Sequence, residues 1–167
     1  MLDQLKKPAL KKWPAEKLKV LDICQHIHKH AEGFYQYLAE VHQSQREIAR
    51  MWGVLAVDKC NHSDTFKMAN RLKGDGISEI YISADMATKI LIKMKTIPKD
   101  DRHHPPSVVD ALRFAIKMED KLNSVHFRHV VKFFCEKDMA LMTSSLKSNV
   151  SIVHMMTEEY VNLTMSE

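Results

Sequence analysis

Glycine and proline are scarce in this sequence: it contains 4 glycines and 5 prolines among 167 residues, but 11 methionines. Folds with many β-turns use glycine and proline at those turns, whereas methionine is a good helix former. The composition therefore favours helices over a turn-rich β fold. A chain of this length suits one domain and is long enough to bury a sizeable core. We predict an all-α protein.

Long apolar runs and paired cysteines are also lacking. No segment approaches the roughly 18 apolar residues of a membrane-spanning helix, so we expect no membrane partner. The cysteines, Cys24, Cys60 and Cys135, are odd in number and share no CxxC spacing. This usage is typical of free thiols in a reducing compartment, and we expect a cytoplasmic protein. Glycine-rich phosphate loops, G-x-S-x-G elbows and H-E-x-x-H helices are absent as well, so no common catalytic motif is recognised.

The net charge is mildly positive and unevenly distributed. Lysine and arginine number 25 against 21 acidic residues, which gives a formal charge of +4. Much of the excess comes from six lysines near the start of the chain: Lys6, Lys7, Lys11, Lys12, Lys17 and Lys19. We interpret residues 1–14 as a basic flexible leader and residues 15–167 as one helical bundle, and we expect no nucleic-acid partner.

Apolar residues that recur every three or four positions predict two long helices in the first half. The first runs from about Ala15 to Val41 and follows Pro14, because proline is tolerated in an opening turn. Ser44 and Glu47 have the spacing of a capping box and predict the start of the second helix. Residues 74–76, Gly-Asp-Gly, are predicted to end it.

Three further helices are predicted in the rest of the chain. Residues 78–96 form a helix of their own, and residues 98–106 form a polar connection. Ser107 caps a helix that runs to about residue 135, and the last helix extends from near residue 138 into residues 157–163. The segment between the two halves is therefore long and partly helical, as a crossover along a bundle is.

One polar pattern occurs in both halves. His28 is followed by His62 34 positions later, and Glu119 by His154 35 positions later. Each span has the length of two antiparallel helices and a short loop, so each half is predicted to be a helical hairpin. Two hairpins make a four-helix bundle, and bundle cores are where carboxylate and histidine metal sites are built. We predict that these four side chains meet in the core.

Three stretches of the predicted helices carry recognisable motifs: residues 31–39 read A-x-x-F-Y-x-x-L-A, residues 52–62 read W-x-x-L-A-x-D-K-x-x-H, and residues 111–119 read A-L-x-x-A-I-x-x-E. They resemble the corresponding stretches of the rubrerythrin-like proteins of the ferritin-like superfamily, whose second motif is W-x-x-L-A-x-D-E-x-x-H. The resemblance implies a ferritin-like four-helix bundle of two helical hairpins joined by a long, partly helical crossover. It also implies a homodimer and a link to iron or oxidative-stress physiology.

The metal motif of this chain departs from the one that the resemblance implies. That family's di-iron site takes one Glu from each of helices one and three, and a Glu-x-x-His pair from helices two and four. His62, Glu119 and His154 match it, whereas His28, Lys59 and Ser151 stand where three Glu are expected. One carboxylate beside a lysine does not offset the charge of two iron ions. Ordinary di-iron chemistry is therefore not expected, and any enzyme activity would be that of a non-haem iron oxidoreductase.

Two interpretations remain open. In the first, His28, His62, Glu119 and His154 bind a single iron or zinc ion. In the second, no metal binds, and the Lys59 ammonium pairs with Glu119 inside a metal-free helical scaffold or binding module. The spacing predicts that these side chains converge under both interpretations. No rubredoxin-type Cys₄ module is present in the sequence, so a redox partner is left unidentified.

Three other side chains are assigned roles relative to this site. Tyr35 lies one heptad after His28, which predicts that it is close to the site. His126 and His129 are three positions apart, and we interpret them as a second histidine pair on the surface.

Overall fold

The structure, a computed structural model, describes residues 14–97 and 104–166 and, within these ranges, is mostly helical. Residues 1–13 of the predicted leader and residues 98–103 of the predicted connection lie outside the described residues. The elements, in chain order, are α1 (Ala15–Val41), α2 (Arg46–Arg71), β1 (Ile77–Ile80), α3 (Ala84–Lys95), α4 (Val108–Asn123), α5 (Phe127–Val130), β2 (Val131–Phe133), α6 (Glu136–Met142) and α7 (Asn149–Thr164).

The first two helices form an antiparallel hairpin, as predicted. The bounds of α1 agree with the predicted segment, and α1 packs chiefly on α2. The predicted capping box is wrong, because the residue before α2 is Gln45, whose side chain makes no capping hydrogen bond. α2 ends at Arg71, and the backbone is left-handed first at Lys73 (φ 52°) and then at Gly74 (φ 73°) and Gly76 (φ 78°), a conformation that glycine adopts without steric cost. The helix therefore ends three residues before the predicted Gly-Asp-Gly stop, and the glycines continue the turn that follows it.

The apolar stripes of the helices form one core. Its largest fully buried side chains are Leu21, Ile27, Tyr35, Leu38, Trp52, Leu55, Phe66, Ile77, Leu112, Leu122, Phe127 and Ile152. Burying each such side chain stabilises the fold by about 1.5–3 kcal/mol relative to leaving it in water. The core draws on both halves of the chain, since α4 packs on α7 and α3 packs on α1.

A two-stranded sheet replaces parts of two predicted helices. Residues 78–80 belong to β1, and α3 begins only at Ala84. Ser83 is its N-cap, and the Ser83 hydroxyl accepts a 3.1 Å hydrogen bond from the Met86 N–H. The helix predicted to follow Ser107 likewise ends at Asn123 instead of continuing to residue 135. The cause is antiparallel pairing of β1 with β2, with Ile77 opposite Phe133. Helical periodicity within each segment does not reveal such pairing between distant segments.

The predicted last helix is divided into α6 and α7 by residues 143–148. Hydroxyl side chains dominate this break: Thr143 Oγ1 donates to Met139 O at 2.8 Å, and Ser148 Oγ accepts from Ser151 N at 3.2 Å. Serine and threonine that bond to nearby backbone groups compete with the helical ladder and favour helix ends. The prediction of one continuous helix is therefore wrong.

The prediction of a helical fold is confirmed, with the small sheet as an addition. No helix within residues 14–97 and 104–166 is long and apolar enough to cross a membrane. For the site, the important consequence is that Glu119, near the C-terminal end of α4, contacts Tyr35 of α1 and Lys59 of α2.

Candidate functional site

Glu119 lies at the centre of a buried polar cluster. It is carried by α4 and is fully buried. Its Oε1 accepts a 2.6 Å hydrogen bond from the Tyr35 hydroxyl of α1, and its Oε2 accepts a 2.8 Å hydrogen bond from Lys59 Nζ of α2. Both carboxylate oxygens are thus engaged, and three helices are tied together at one point. Tyr35 is close to the site, as predicted.

The Lys59 ammonium lies between two carboxylates. Besides its 2.8 Å contact with Glu119 Oε2, Nζ is 3.3 Å from Asp58 Oδ2, and only 3% of the Lys59 side chain is exposed. The ion pair between Lys59 and Glu119 that the second interpretation requires is therefore present. Removing one member of such a buried pair costs about 3–5 kcal/mol, because the other charge is left uncompensated in the core.

Asp58 joins this cluster to the segment that precedes α7. Its Oδ1 accepts a 2.9 Å hydrogen bond from the Lys147 backbone N–H. Its Oδ2 is 3.8 Å from His62 Nε2. The sequence interpretation did not single out Asp58, although its position four residues before His62 puts both on one face of α2.

His28 and His62 form a stacked pair beside the ion pair. Their ring centroids are 4.5 Å apart and the planes differ by 13°. His28 Nε2 lies 3.0 Å from Val125 O, so this nitrogen carries the proton and Nδ1 is the acceptor. His28 Nδ1 and both ring nitrogens of His62 are buried and make no hydrogen bond to the described residues.

His126 continues the pair toward the surface. Its ring meets that of His62 edge to face, with centroids 4.5 Å apart, and the residue is 7% exposed. The interpretation of His126 as a surface histidine is therefore wrong. The turn after α4 carries it inward instead of along a helix face, since α4 ends at Asn123. His129, whose ring centroid is 5.4 Å from that of His126, is exposed as predicted.

The three buried imidazoles are neutral near pH 7. Burial, followed by the Lys59 charge, lowers the pKa of His28 to about 3. Burial, followed by the nearby His28 and Lys59, lowers the pKa of His62 well below its usual range. Burial also lowers the pKa of His126. Burial and the Glu119 carboxylate raise the pKa of Tyr35, so its hydroxyl stays a hydrogen-bond donor.

His154, the fourth predicted ligand, is not part of this cluster. Its side chain is 73% exposed, and its Nε2 is 3.3 Å from Glu158 Oε1 on the same helix. Ile152 and Met156 are the buried residues of α7. Ile152 and Met156 are four residues apart and share the buried face of α7. His154 lies midway between them along the chain and therefore points to the opposite, exposed side of the helix.

The remaining predicted ligands do not fit a single metal ion. A metal lies in the plane of each imidazole that binds it, and two stacked, nearly parallel rings such as His28 and His62 share no such point. Glu119 is already engaged by Tyr35 and by the cationic Lys59. Across the described parts of the chain, no group of three or more His, Cys, Asp or Glu side chains is placed to hold a metal ion.

The cluster as a whole is a closed polar core rather than an open reaction site. Its Glu119, Lys59 and His62 are each 2% exposed or less. It can neutralise buried charge and hold helices in register. Comparison of the chain with protein-family models, with curated proteins and with solved structures gives no match.

Proposed function

We propose that this protein is a metal-free helical scaffold or binding module, in which the Lys59 ammonium occupies the place of a metal and pairs with Glu119. In this proposal α1, α2, α4 and α7 form a ferritin-like four-helix bundle of two hairpins, and β1 and α3 belong to the crossover. The observation that supports it is the engagement of both Glu119 oxygens, by Lys59 at 2.8 Å and by Tyr35 at 2.6 Å.

The electrostatic role of Lys59 follows from its surroundings. Two carboxylates, Asp58 and Glu119, lie within 3.3 Å of one ammonium, and all three residues are almost completely buried. Unpaired carboxylates at this depth are strongly unfavourable, and a fixed cation offsets them without any bound ion. A buried ion pair is weak evidence for stability, but it specifies one arrangement of the helices that carry it. A scaffold needs such an arrangement.

Elemental analysis of protein purified without chelator and without a tag tests the proposal. We expect no stoichiometric transition metal, and we expect the same melting temperature with and without a strong chelator. About one equivalent of iron or zinc that is lost in the variant His28→Ala/His62→Ala would overturn it. His154→Ala is the matched control, because its side chain is exposed and adventitious surface binding would respond to it.

A mononuclear iron or zinc site is the competing proposal. It is supported by the buried ring nitrogens of His28 and His62, which lack hydrogen-bond partners among the described residues. It is opposed by their stacking and by the outward position of His154. The same elemental analysis decides between the two. A non-haem iron oxidoreductase and a link to iron or oxidative-stress physiology both depend on that metal.

The homodimer stays a prediction in either case. Several large apolar side chains of the second half are exposed and available to a second copy: Phe134, Leu141, Val150 and Met165. Size-exclusion chromatography with light scattering tests it. The measured mass is expected to be twice that of the 19.3 kDa chain.

A further inference from the structure

A surface cavity lies next to the buried histidines. It has a volume of about 380 Å³, is open to solvent on one side, and is lined by the end of α4, by α5 and by the segment that leads into α7. His126 forms part of its wall and contacts His62 on its inner side. Cavities of roughly 300–1,000 Å³ suit small molecules. This cavity was not expected from the sequence, because it depends on the break between α6 and α7.

The wall of the cavity carries two permanent positive charges. Arg128 and Lys147 line it, together with His129, and among the described residues no aspartate or glutamate does. Within the described ranges neither Arg128 nor Lys147 forms an ion pair with a carboxylate. Two permanent positive charges that share one small cavity repel each other, and a bound anion relieves that repulsion.

His126 holds the backbone of both Arg128 and Lys147 in place through hydrogen bonds. Its Nε2 donates to Lys147 O at 3.2 Å, and its Nδ1 accepts from Arg128 N at 3.3 Å. Asp58 adds a second anchor through its 2.9 Å hydrogen bond from Lys147 N. Both chain segments are therefore held from the core side before any ligand arrives, which lowers the entropic cost of binding.

We propose that this cavity binds an organic phosphate. A phosphate monoester carries a charge of about −1.5 to −2 at pH 7, which matches the two permanent cations. The guanidinium of Arg128 offers a planar pair of donors suited to phosphate oxygens, and Lys147 supplies a point charge. Leu146 and Val150, which also line the cavity, contact the organic group. Ser148, the N-cap residue of α7, lies at the same wall, so the positive end of that helix adds to the field.

Isothermal titration of the full chain with phenyl phosphate tests the proposal. We expect saturable binding that is tighter than that of inorganic phosphate, because Leu146 and Val150 cover the ring. Phenol, which has no phosphate, is expected not to bind. Arg128→Gln and Lys147→Gln are each expected to weaken binding about tenfold or more, since each removes a charged donor. Arg128→Lys keeps the charge without the planar fork and is expected to give an intermediate affinity.

Two control substitutions are made at lysines that line a neighbouring groove. Lys117 and Lys121 are exposed on α4 and line a separate groove against α7. Lys117→Gln and Lys121→Gln are expected to change the affinity by less than about twofold. An equal loss in these controls would mean unspecific attraction to positive charge and would overturn the proposal, as would no saturation by about 10 mM phenyl phosphate. Circular dichroism and melting curves verify that each variant folds.

A spectroscopic readout locates the ligand independently. The histidine ring signals of His126 and His129 are expected to shift on titration, and those of the exposed His26 on α1 are expected to stay unchanged. Shifts at His26 without shifts at His129 would overturn the assignment. Vesicles that contain phosphatidic acid distinguish the two sources of the phosphate. Sedimentation of wild type but not of Arg128→Gln identifies a lipid headgroup, and saturable phenyl phosphate binding without sedimentation identifies a soluble ligand.

Discussion

The imidazole rings of His28 and His62 stack with their centroids 4.5 Å apart, and both residues are almost completely buried. Two protonated imidazoles at this distance would repel each other strongly in the core, and Lys59 adds a further positive charge nearby. The stacked pair therefore exists only with neutral rings, which makes the fold sensitive to acid.

The free energy of unfolding is expected to fall as the pH drops from about 6.5 toward 3. Burial lowers the pKa of His28 from 6.5 to about 3, and burial also lowers the pKa values of His62 and His126. The unfolded chain thus binds more protons than the folded protein in this window, so stability is present above the unfolded pKa and is lost on acidification. Each imidazole contributes up to about 1.4 kcal/mol per pH unit.

Urea denaturation at a series of pH values measures this slope. His62→Leu is expected to reduce it by up to about 1.4 kcal/mol per pH unit, because one buried imidazole no longer titrates on unfolding. His154→Leu serves as the control, since its ring is 73% exposed. An unchanged slope in His62→Leu would contradict the assignment of neutral, buried imidazoles.

Lys59→Met is expected to destabilise the protein by about 3–5 kcal/mol, because it leaves the Glu119 and Asp58 carboxylates without their shared cation. The double variant Lys59→Met/Glu119→Leu is expected to recover only part of this loss, since apolar side chains replace the Lys59–Glu119 pair but Asp58 still lacks its cation and the Tyr35 hydroxyl loses its acceptor. Chemical denaturation of the wild type, both single variants and the double variant gives the coupling energy.

A surface ion pair provides the matched control for this cycle. Lys89 Nζ is 2.7 Å from Asp85 Oδ2, but the side chains are 71% and 75% exposed. Lys89→Met is expected to cost less than about 1 kcal/mol, because solvent screens exposed pairs. Comparable losses at Lys59 and Lys89 would show that the Lys59 charge is not buried as described.

Tyr35→Phe is expected to cost about 1–3 kcal/mol, since it removes the 2.6 Å hydrogen bond to Glu119 Oε1 and leaves a buried carboxylate oxygen without that donor. Thermal or chemical unfolding measures the change. Tyr81→Phe is the control, because Tyr81 is 54% exposed and its hydroxyl is not part of the core. Equal stability of wild type and Tyr35→Phe would contradict a structural role for this hydroxyl.

Part of the centre of the site could be predicted from the sequence. The bounds of α1 followed from its apolar period, whereas Lys59 was located through the resemblance to the rubrerythrin-like metal motif, and its pairing with Glu119 was one of two interpretations left open. Both predictions depend on residues that lie within regular helices. They succeed because α1, α2 and α4 are regular throughout the residues that carry Tyr35, Lys59 and Glu119.

The misassigned side chains depend on contacts between distant segments. His154 faces solvent because α7 buries Ile152 and Met156, and that register depends on where the chain leaves α6. His126 is buried because α4 ends at Asn123 and β2 pairs with β1. The end of α4 and the interruption between α6 and α7 were both missed, because the apolar period of the sequence was interpreted as continuing through each of them.

Asp58→Ala is expected to loosen the segment between α6 and α7. Asp58 Oδ1 accepts the Lys147 backbone N–H at 2.9 Å, a contact that connects α2 to residues far along the chain. Without it the Lys147 amide loses its buried acceptor, and local opening of residues 143–148 costs less free energy. Hydrogen exchange measured by mass spectrometry is expected to show faster exchange in this segment, with little change in α1.

The control for this prediction is Asp64→Ala, because Asp64 is an exposed aspartate on the same helix as Asp58. Faster exchange in both variants, or in neither, would mean that Asp58 does not hold the segment in place.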